Sequence, residues 1–315
     1  MIDVTPRTTE HGDGITAIDT DLVRPFFDAS HLVFENGRAA FVDCGANASV
    51  PFLLATLAQK DIDVADVDYL FLTHVHLDHA GGAGLLMQSL PNAKAVLHPR
   101  GAPHMTDPSK LIRGAQAVYG EKEYFRQYGN IEAIAQQRIL IAADGQEFRF
   151  GGRVLSSLYT EGHARHHHCF HDPASRAVFT GDSFGVSYRE LDTANGEFIY
   201  PTTTPVHFDP PEAHKAIDRI LGLEPAQLFL THYSRVTGLE RLAGDMHKRI
   251  DDFVRLAREH ADDDERPAGM HEGMHDYFIA ELAAHGFAGD AGEVREFLSK
   301  DVVLNTMGLE FWLDH

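Results

Sequence analysis

The stretch Thr73–Gly82 reads T-H-V-H-L-D-H-A-G-G and places His74, His76, Asp78 and His79 on one short segment. Four side chains able to bind a metal, so close together, mark a metal site. Directly before them runs Tyr69-Leu70-Phe71-Leu72, a bounded aromatic and branched run of the kind that forms a buried strand. The Gly81-Gly82 pair after them suits a tight turn, so the chemistry sits on a loop at a strand's carboxyl end. His74 and His76 alternate along an extended backbone and point the same way. Asp78 and His79 are adjacent and are expected to diverge. One ion does not easily take all four, and the spacing favours two neighbouring ions.

Such a loop needs a scaffold, and 315 residues with 43% hydrophobic residues can bury a large core. Lys and Arg number 27 against 47 Asp and Glu, a formal charge of −20, which disfavours generic binding to nucleic acid or to an anionic membrane. Bound divalent ions would outweigh that field locally, so a phosphate-bearing substrate stays compatible. The two cysteines, Cys44 and Cys169, each fall in an expected strand, which fits a reducing cytoplasm without a structural disulfide. The Met1-Ile2-Asp3-Val4 start has no basic stretch or apolar signal core, and no apolar run reaches the roughly 18 residues that span a membrane. A soluble cytoplasmic protein is expected.

Short strands are expected at 15–18, 30–34 and 38–42, with Glu35-Asn36-Gly37 turning a hairpin in an antiparallel amino-terminal sheet. Ser49 is placed to cap a helix over 50–59. Strand, helix and strand then deliver the metal loop, followed by a helix over 85–90 and a strand over 94–97, an α/β alternation. Residues 100–135 read as a helical insertion over the site mouth. Strands return at 139–141, 147–150, 154–159, 167–171 and 177–180 to form a second sheet. A long polar loop over 183–209 precedes a helix opened by Pro210-Pro211 and a strand over 227–230. From 239 the pattern is helical, interrupted near 262–267. The expected division is therefore a catalytic domain over 1–238 and a helical extension over 239–315. No internal repeat or low-complexity tract interrupts the chain.

The H-x-H-x-D-H pattern resembles the metallo-β-lactamase fold superfamily, most closely its glyoxalase II-like hydrolases, over roughly residues 12–235. Further stations of that family occur in its order: Asp43 in Phe-Val-Asp-Cys-Gly, His163 in Thr-Glu-Gly-His with His167 four residues on, Asp182 in Phe-Thr-Gly-Asp, and His232 in Phe-Leu-Thr-His. The resemblance implies a four-layer αββα sandwich. It implies that His74, His76 and His163 hold one ion, that Asp78, His79 and His232 hold a second, and that Asp182 bridges them. Asp78 is then the catalytic carboxylate beside a metal-activated water, and Asp43 and His167 support the ligands from behind. Nitrogen and oxygen donors without a thiolate suit two divalent ions, Zn²⁺ first, with Fe or Mn fitting as well. Two ions about 3.5 to 4 Å apart can share a water, lower its pKa and polarise the carbonyl it attacks.

The expected reaction is hydrolysis of a thioester, ester or lactone of a small molecule. The alternative from another class is a diiron oxygen-binding or redox protein on the same fold. Relatives of that kind carry Glu where this chain has His76, which favours hydrolysis. Persulfide dioxygenase relatives use one iron, against the second ligand set of Asp78, His79 and His232. Nuclease relatives bring a further domain and a basic surface, and secreted lactamases a signal peptide. Arg165, His166, Tyr188 and Thr202–Thr204 are candidates to face substrate, whereas His207 reads as structural. His271-Glu272-Gly273-Met274-His275 spells the H-E-x-x-H of zinc proteases, yet with 21 histidines chance supplies such a match on the order of 0.1 times, and it reads as a polar helix face. The apolar stripes of the carboxyl-terminal helices must be covered, by the sandwich first and by a homodimer partner as the competitor.

Overall fold

The structure, a computed structural model, describes residues 4–203 and 205–315. The chain divides into two compact units. Unit 1 comprises the residues up to Tyr159, His166–Gly181 and Pro225–Arg235, and unit 2 comprises Thr160–Arg165, Asp182–Glu224 and Val236–His315. Segments 160–165 and 182–224 thus group with the helices that follow, not with the sheets.

Unit 1 is built on two sheets. The first orders β1 (Thr8–Glu10), β2 (Ile15–Asp19), β3 (Ala29–Glu35), β4 (Arg38–Val42), β5 (Val67–Phe71), β6 (Lys94–Leu97) and β7 (Ile139–Ile141) side by side. β1 to β4 pair antiparallel, and Asn36 and Gly37 take the positive φ values, 45° and 79°, that a tight β3–β4 hairpin needs. From β4 to β7 the pairing is parallel, so this sheet is mixed, as the α/β alternation after the amino-terminal hairpin implies. The reason lies in its connections: a parallel neighbour needs a crossover, supplied here by the helices α1 (Val50–Gln59) after β4 and, after β5, α2 (Leu77–Ala80) and α3 (Ala83–Ser89). Ser49 does not cap α1 through its side chain; its Oγ–H donates to Thr20 O instead. β1, an exposed Thr-Thr-Glu, has no apolar alternation to announce it.

The insertion folds as α4 (Ala102–Thr106), α5 (Ser109–Tyr119) and α6 (Glu121–Tyr128). Its Tyr124 and Tyr128 pack with Leu22, Ala46 and Leu77, the last within the metal loop. The second sheet takes the order β13 (Ser234–Val236), β12 (Gln227–Leu230), β11 (Ala177–Gly181), β10 (His168–Asp172), β9 (Arg153–Tyr159) and β8 (Glu147–Phe150). The strand period of two sorts side chains between layers. Ala40, Val42 and Phe71 meet Phe148, Phe170, Phe179 and Phe229 of the second sheet, while Ala39, Phe41 and Leu70 turn to α1 and α3. Burying Phe71 alone contributes roughly 2–3 kcal/mol.

Unit 2 contains the 182–209 segment, α7 (Pro210–Leu221), α8 (Leu239–Glu259), α9 (Arg266–His285), α10 (Ala291–Phe297) and α11 (Ser299–Asp314). On α8, Leu242, Met246, Ile250, Phe253 and Ala257 are buried at helical spacing, and on α9 Met270, Met274, Phe278 and Leu282 answer them. The 183–209 segment is not a polar loop in packing. Val186, Tyr188, Leu191, Phe198, Ile199 and Tyr200 are buried, and Val186 bridges to Tyr200. Its hydroxyls anchor it: Tyr188 and Tyr200 donate to Asp301 Oδ1 at 3.2 and 2.9 Å. Arg249, buried, stands 4.1 Å from the Phe198 ring and donates to Ile199 O. Among the described residues no helix is long and apolar enough to cross a membrane.

Candidate metal centre

Asp43, just past β4, is where unit 1 assembles its donors. Its φ of 55° is left-handed, which turns the carboxylate back under the end of β5. Thr73 donates to it through N–H at 2.8 Å and through Oγ1–H at 2.8 Å, and Thr231, just past β12, donates at 2.9 Å. His79 Nδ1–H donates to Oδ2 at 2.8 Å. One buried carboxylate therefore ties together the ends of three strands and fixes an imidazole.

That bond decides what His79 offers. A carboxylate oxygen accepts, so the His79 proton sits on Nδ1 and Nε2 carries a lone pair. His232 is set the same way, its Nδ1–H donating to the Phe27 carbonyl at 3.0 Å. Residues 77–80 form one helical turn, not open loop, and this corrects the expected divergence of Asp78 and His79. Asp78 Oδ2 lies 3.8 Å from His79 Nε2 and 3.5 Å from His232 Nε2. Ligands at 2.0–2.2 Å from a tetrahedral ion stand about 3.4 Å apart. The three donors fit one metal ion. His74 and His76 stand beside them, with ring centroids 4.4 Å apart and His74 4.0 Å from His79.

Unit 2 carries a donor pair of its own. His163 Nε2 is 3.4 Å from Asp182 Oδ2, and His163 Nδ1–H donates to Thr202 O at 3.1 Å, so here too Nε2 holds the lone pair. Gly162, at φ 130°, allows the close approach of this loop to α7: a Cβ there would meet Ala213 N at 2.5 Å.

The other candidates divide. Thr202 lends its carbonyl to His163, and Thr204 lies outside the described residues. Tyr188 is buried and bonded to Asp301, so it anchors its segment to α11 instead of facing open space. His167 is buried against His74, their rings 4.8 Å apart, and a Cβ on Gly181 would meet its Nε2 at 2.6 Å. His166 is buried in unit 1 with its ring 5.6 Å from that of His76, whereas Arg165 is exposed and lines a cavity of unit 2 with His207. Glu272 of the H-E-x-x-H motif pairs with Arg295 at 2.6 Å.

Two roles were missed. Thr73 and Thr231 hold Asp43, and their signal was present: Phe-Leu-Thr-His occurs at 71–74 and again at 229–232. His168 stitches the loop from below, with Nε2–H donating to Leu72 O at 2.8 Å and Nδ1 accepting from Ser157 at 2.8 Å. Complete burial pushes its pKa down to about 3, which keeps it neutral.

The sequence family described as the metallo-beta-lactamase superfamily matches residues 23–232. The metallo-beta-lactamase fold-containing protein ST1585 of Sulfurisphaera tokodaii is 34% identical over 211 residues, 65% of this chain and 76% of that protein. The ST1585 structure aligns at a TM-score of 0.64 and 24% identity, covering 95% of this chain and 99% of that one. The metallo-beta-lactamase family protein TTHA1429 of Thermus thermophilus gives 0.64 at 17% identity over 96% and 93%. The thioesterase pkgB of Emericella nidulans is 29% identical over 154 residues, 49% of this chain but only 35% of that enzyme's length. With two facing sheets, carboxyl-terminal helices and a His/Asp donor cluster in hand, the chain belongs to the metallo-β-lactamase superfamily.

Proposed function

We propose that this protein is a metal-dependent hydrolase that opens a thioester, ester or lactone bond of a small molecule, using two divalent ions. The observation that carries the reading is the spacing of Asp78, His79 and His232, whose donor atoms stand as a tetrahedral ion requires. Those three residues would hold one ion, His74, His76 and His163 the other, and Asp182 would reach both. When bound, the ions supply Lewis acidity, activating a water and polarising the carbonyl under attack. The chain's own part is orientation: Asp43, Phe27 O and Thr202 O each hold an Nδ1–H, so Nε2 of His79, His232 and His163 faces inward as a ready donor. Asp78, a quarter exposed, is the carboxylate placed to take and return a proton at the reacting water. A thioester leads the substrate list because pkgB, a relative across 49% of the chain, bears that activity in its name. Zn²⁺ is the first choice of metal for this nitrogen and oxygen set, with Fe or Mn next.

The test couples metal analysis by plasma mass spectrometry to a panel of thioesters, esters and lactones. Two ions per chain and turnover of at least one class are expected, with Asp182→Ala losing metal and turnover together. An Asp182→Ala protein that keeps both ions would remove the bridging role. Iron-loaded protein that binds oxygen and hydrolyses nothing would install the diiron alternative instead.

A further inference from the structure

Unit 2 carries an open cavity of about 590 Å³, a size that suits a small-molecule ligand. Its walls come from the 161–165 loop, the start of α7, the second half of α8 and the last turn of α11. Glu161 and Phe208 line this cavity and also the small one beside His163 and Asp182. The larger space therefore shares a wall, Glu161 and Phe208, with the His163 and Asp182 pair.

The charges on its walls are unequally answered. Glu212 is paired with Lys215 at 2.6 Å, Asp209 caps α7 by accepting the Glu212 N–H at 3.2 Å, Asp251 lies 3.2 Å from His214 Nε2, and Glu161 and Arg165 stand on the same walls. Arg258 has no carboxylate partner among the described residues; its guanidinium lies 5.6 Å from the ring of Trp312. In a chain of formal charge −20, a guanidinium left without an acid beside a half-buried indole is a specific pairing of a cation and a flat apolar face. The complement to that pairing is an anion joined to a flat ring, for Arg binds phosphate through a planar fork and indole stacks on rings. A peptide carrier such as glutathione would answer the charge and leave the ring face unused.

We infer that this cavity binds a nucleoside phosphate, the remote end of a nucleotide-bearing acyl thioester such as a coenzyme A ester, with the phosphate at Arg258 and the base at Trp312. The acyl half of that statement rests on the hydrolase reading, and the binding half does not.

Trp312 is the chain's only tryptophan, so its emission reports occupancy of the cavity independently of catalysis. The metal-loaded full chain is titrated with adenosine 3′,5′-bisphosphate and with coenzyme A, exciting at the red edge of the indole band. Saturable quenching is expected, at least tenfold weaker in Arg258→Gln and unchanged in Arg255→Gln, whose cation pairs with Asp252 and Glu259 on the same helix. Adenosine alone, inorganic phosphate alone and glutathione should each bind at least tenfold more weakly than the nucleotide. Unperturbed emission, equal affinity in Arg258→Gln, or glutathione matching the nucleotide would overturn the inference. If the nucleotide quenches while no thioester, ester or lactone is turned over, the hydrolase reading falls and the site stands. Turnover of a simple thioester with no quenching has the opposite meaning.

Discussion

Replacing Asp43 by Asn removes a charge and changes almost no volume, which isolates what the carboxylate does. Four donors converge on it at 2.8–2.9 Å: Thr73 N–H, Thr73 Oγ1–H, Thr231 Oγ1–H and His79 Nδ1–H. An amide has one accepting oxygen and one donating nitrogen. If its oxygen keeps Thr73 N–H, its NH₂ faces the Thr73 and Thr231 hydroxyls and His79. The threonine hydroxyls can rotate and accept, but His79 Nδ1–H cannot, so one charge-assisted bond is lost outright. Such bonds contribute about 1.5–3 kcal/mol each, and with the weakened threonine contacts the folded state should lose about 2–4 kcal/mol. His79 can escape the clash only by moving its proton to Nε2, the atom that faces Asp78 across 3.8 Å. Metal affinity should then fall about 10- to 100-fold, the usual consequence of losing a partner behind a ligand histidine. Urea unfolding of chelator-treated protein measures the first quantity, and competition with a chromophoric chelator the second. An Asp43→Asn protein within about 0.5 kcal/mol of wild type, binding zinc within twofold, would refute the idea that Asp43 sets the His79 tautomer.

Acid should destabilise this protein from an identifiable source. Burial drives the pKa of His31 and of His168 from 6.5 down to about 3, so both contribute full stability above about pH 6.5 and lose it as pH falls toward 3. By pH 5 each costs about 2 kcal/mol, and His168→Gln should unfold in urea with a visibly smaller change between pH 7 and 5; an unchanged difference would contradict this. His271→Ala should keep the metal content of wild type by mass spectrometry, since Glu272 of that motif is committed to Arg295. Chelation should leave the far-ultraviolet spectrum intact and lower stability by about 2.7 kcal/mol when the ion had stood at 100 times its Kd, whereas unfolding on chelation would show that the metal holds the scaffold.

The candidate donor cluster was legible because His74, His76, Asp78 and His79 crowd one short segment, and the strands around it because apolar runs such as Tyr69–Leu72 are bounded by turn residues. The parallel half of the first sheet was legible only through the helices between its strands, for pairing direction depends on where α1 and α3 return the chain and not on any strand's own composition. The convergence of Asp78 and His79 was hidden by assuming extended backbone where Leu77–Ala80 coils into one turn. The 183–209 segment looked polar because its buried members, Val186, Tyr188, Leu191 and Phe198–Tyr200, follow neither period; they pack singly from irregular backbone, pinned by Asp301. Thr73 and Thr231 were passed over as neighbours of ligands, although one tetrapeptide occurring twice at strand ends was itself a pointer to a common partner.

That common partner explains why a side chain is tolerated in a left-handed conformation. A non-glycine residue at φ 55° costs on the order of 1–2 kcal/mol, and Asp43 sits there while completely surrounded. Four donors in return over-determine its position, and each comes from a segment that also ends in, or is, a candidate metal ligand: Thr73 precedes His74, Thr231 precedes His232, and His79 is bound directly. Ordering the carboxylate thus orders the imidazoles, so the rotamer entropy that ligands usually lose when an ion arrives is lost during folding instead. A local strain that a hydrophobic core would have no use for becomes intelligible as the means by which β4, β5 and β12 deliver preset donors to one point.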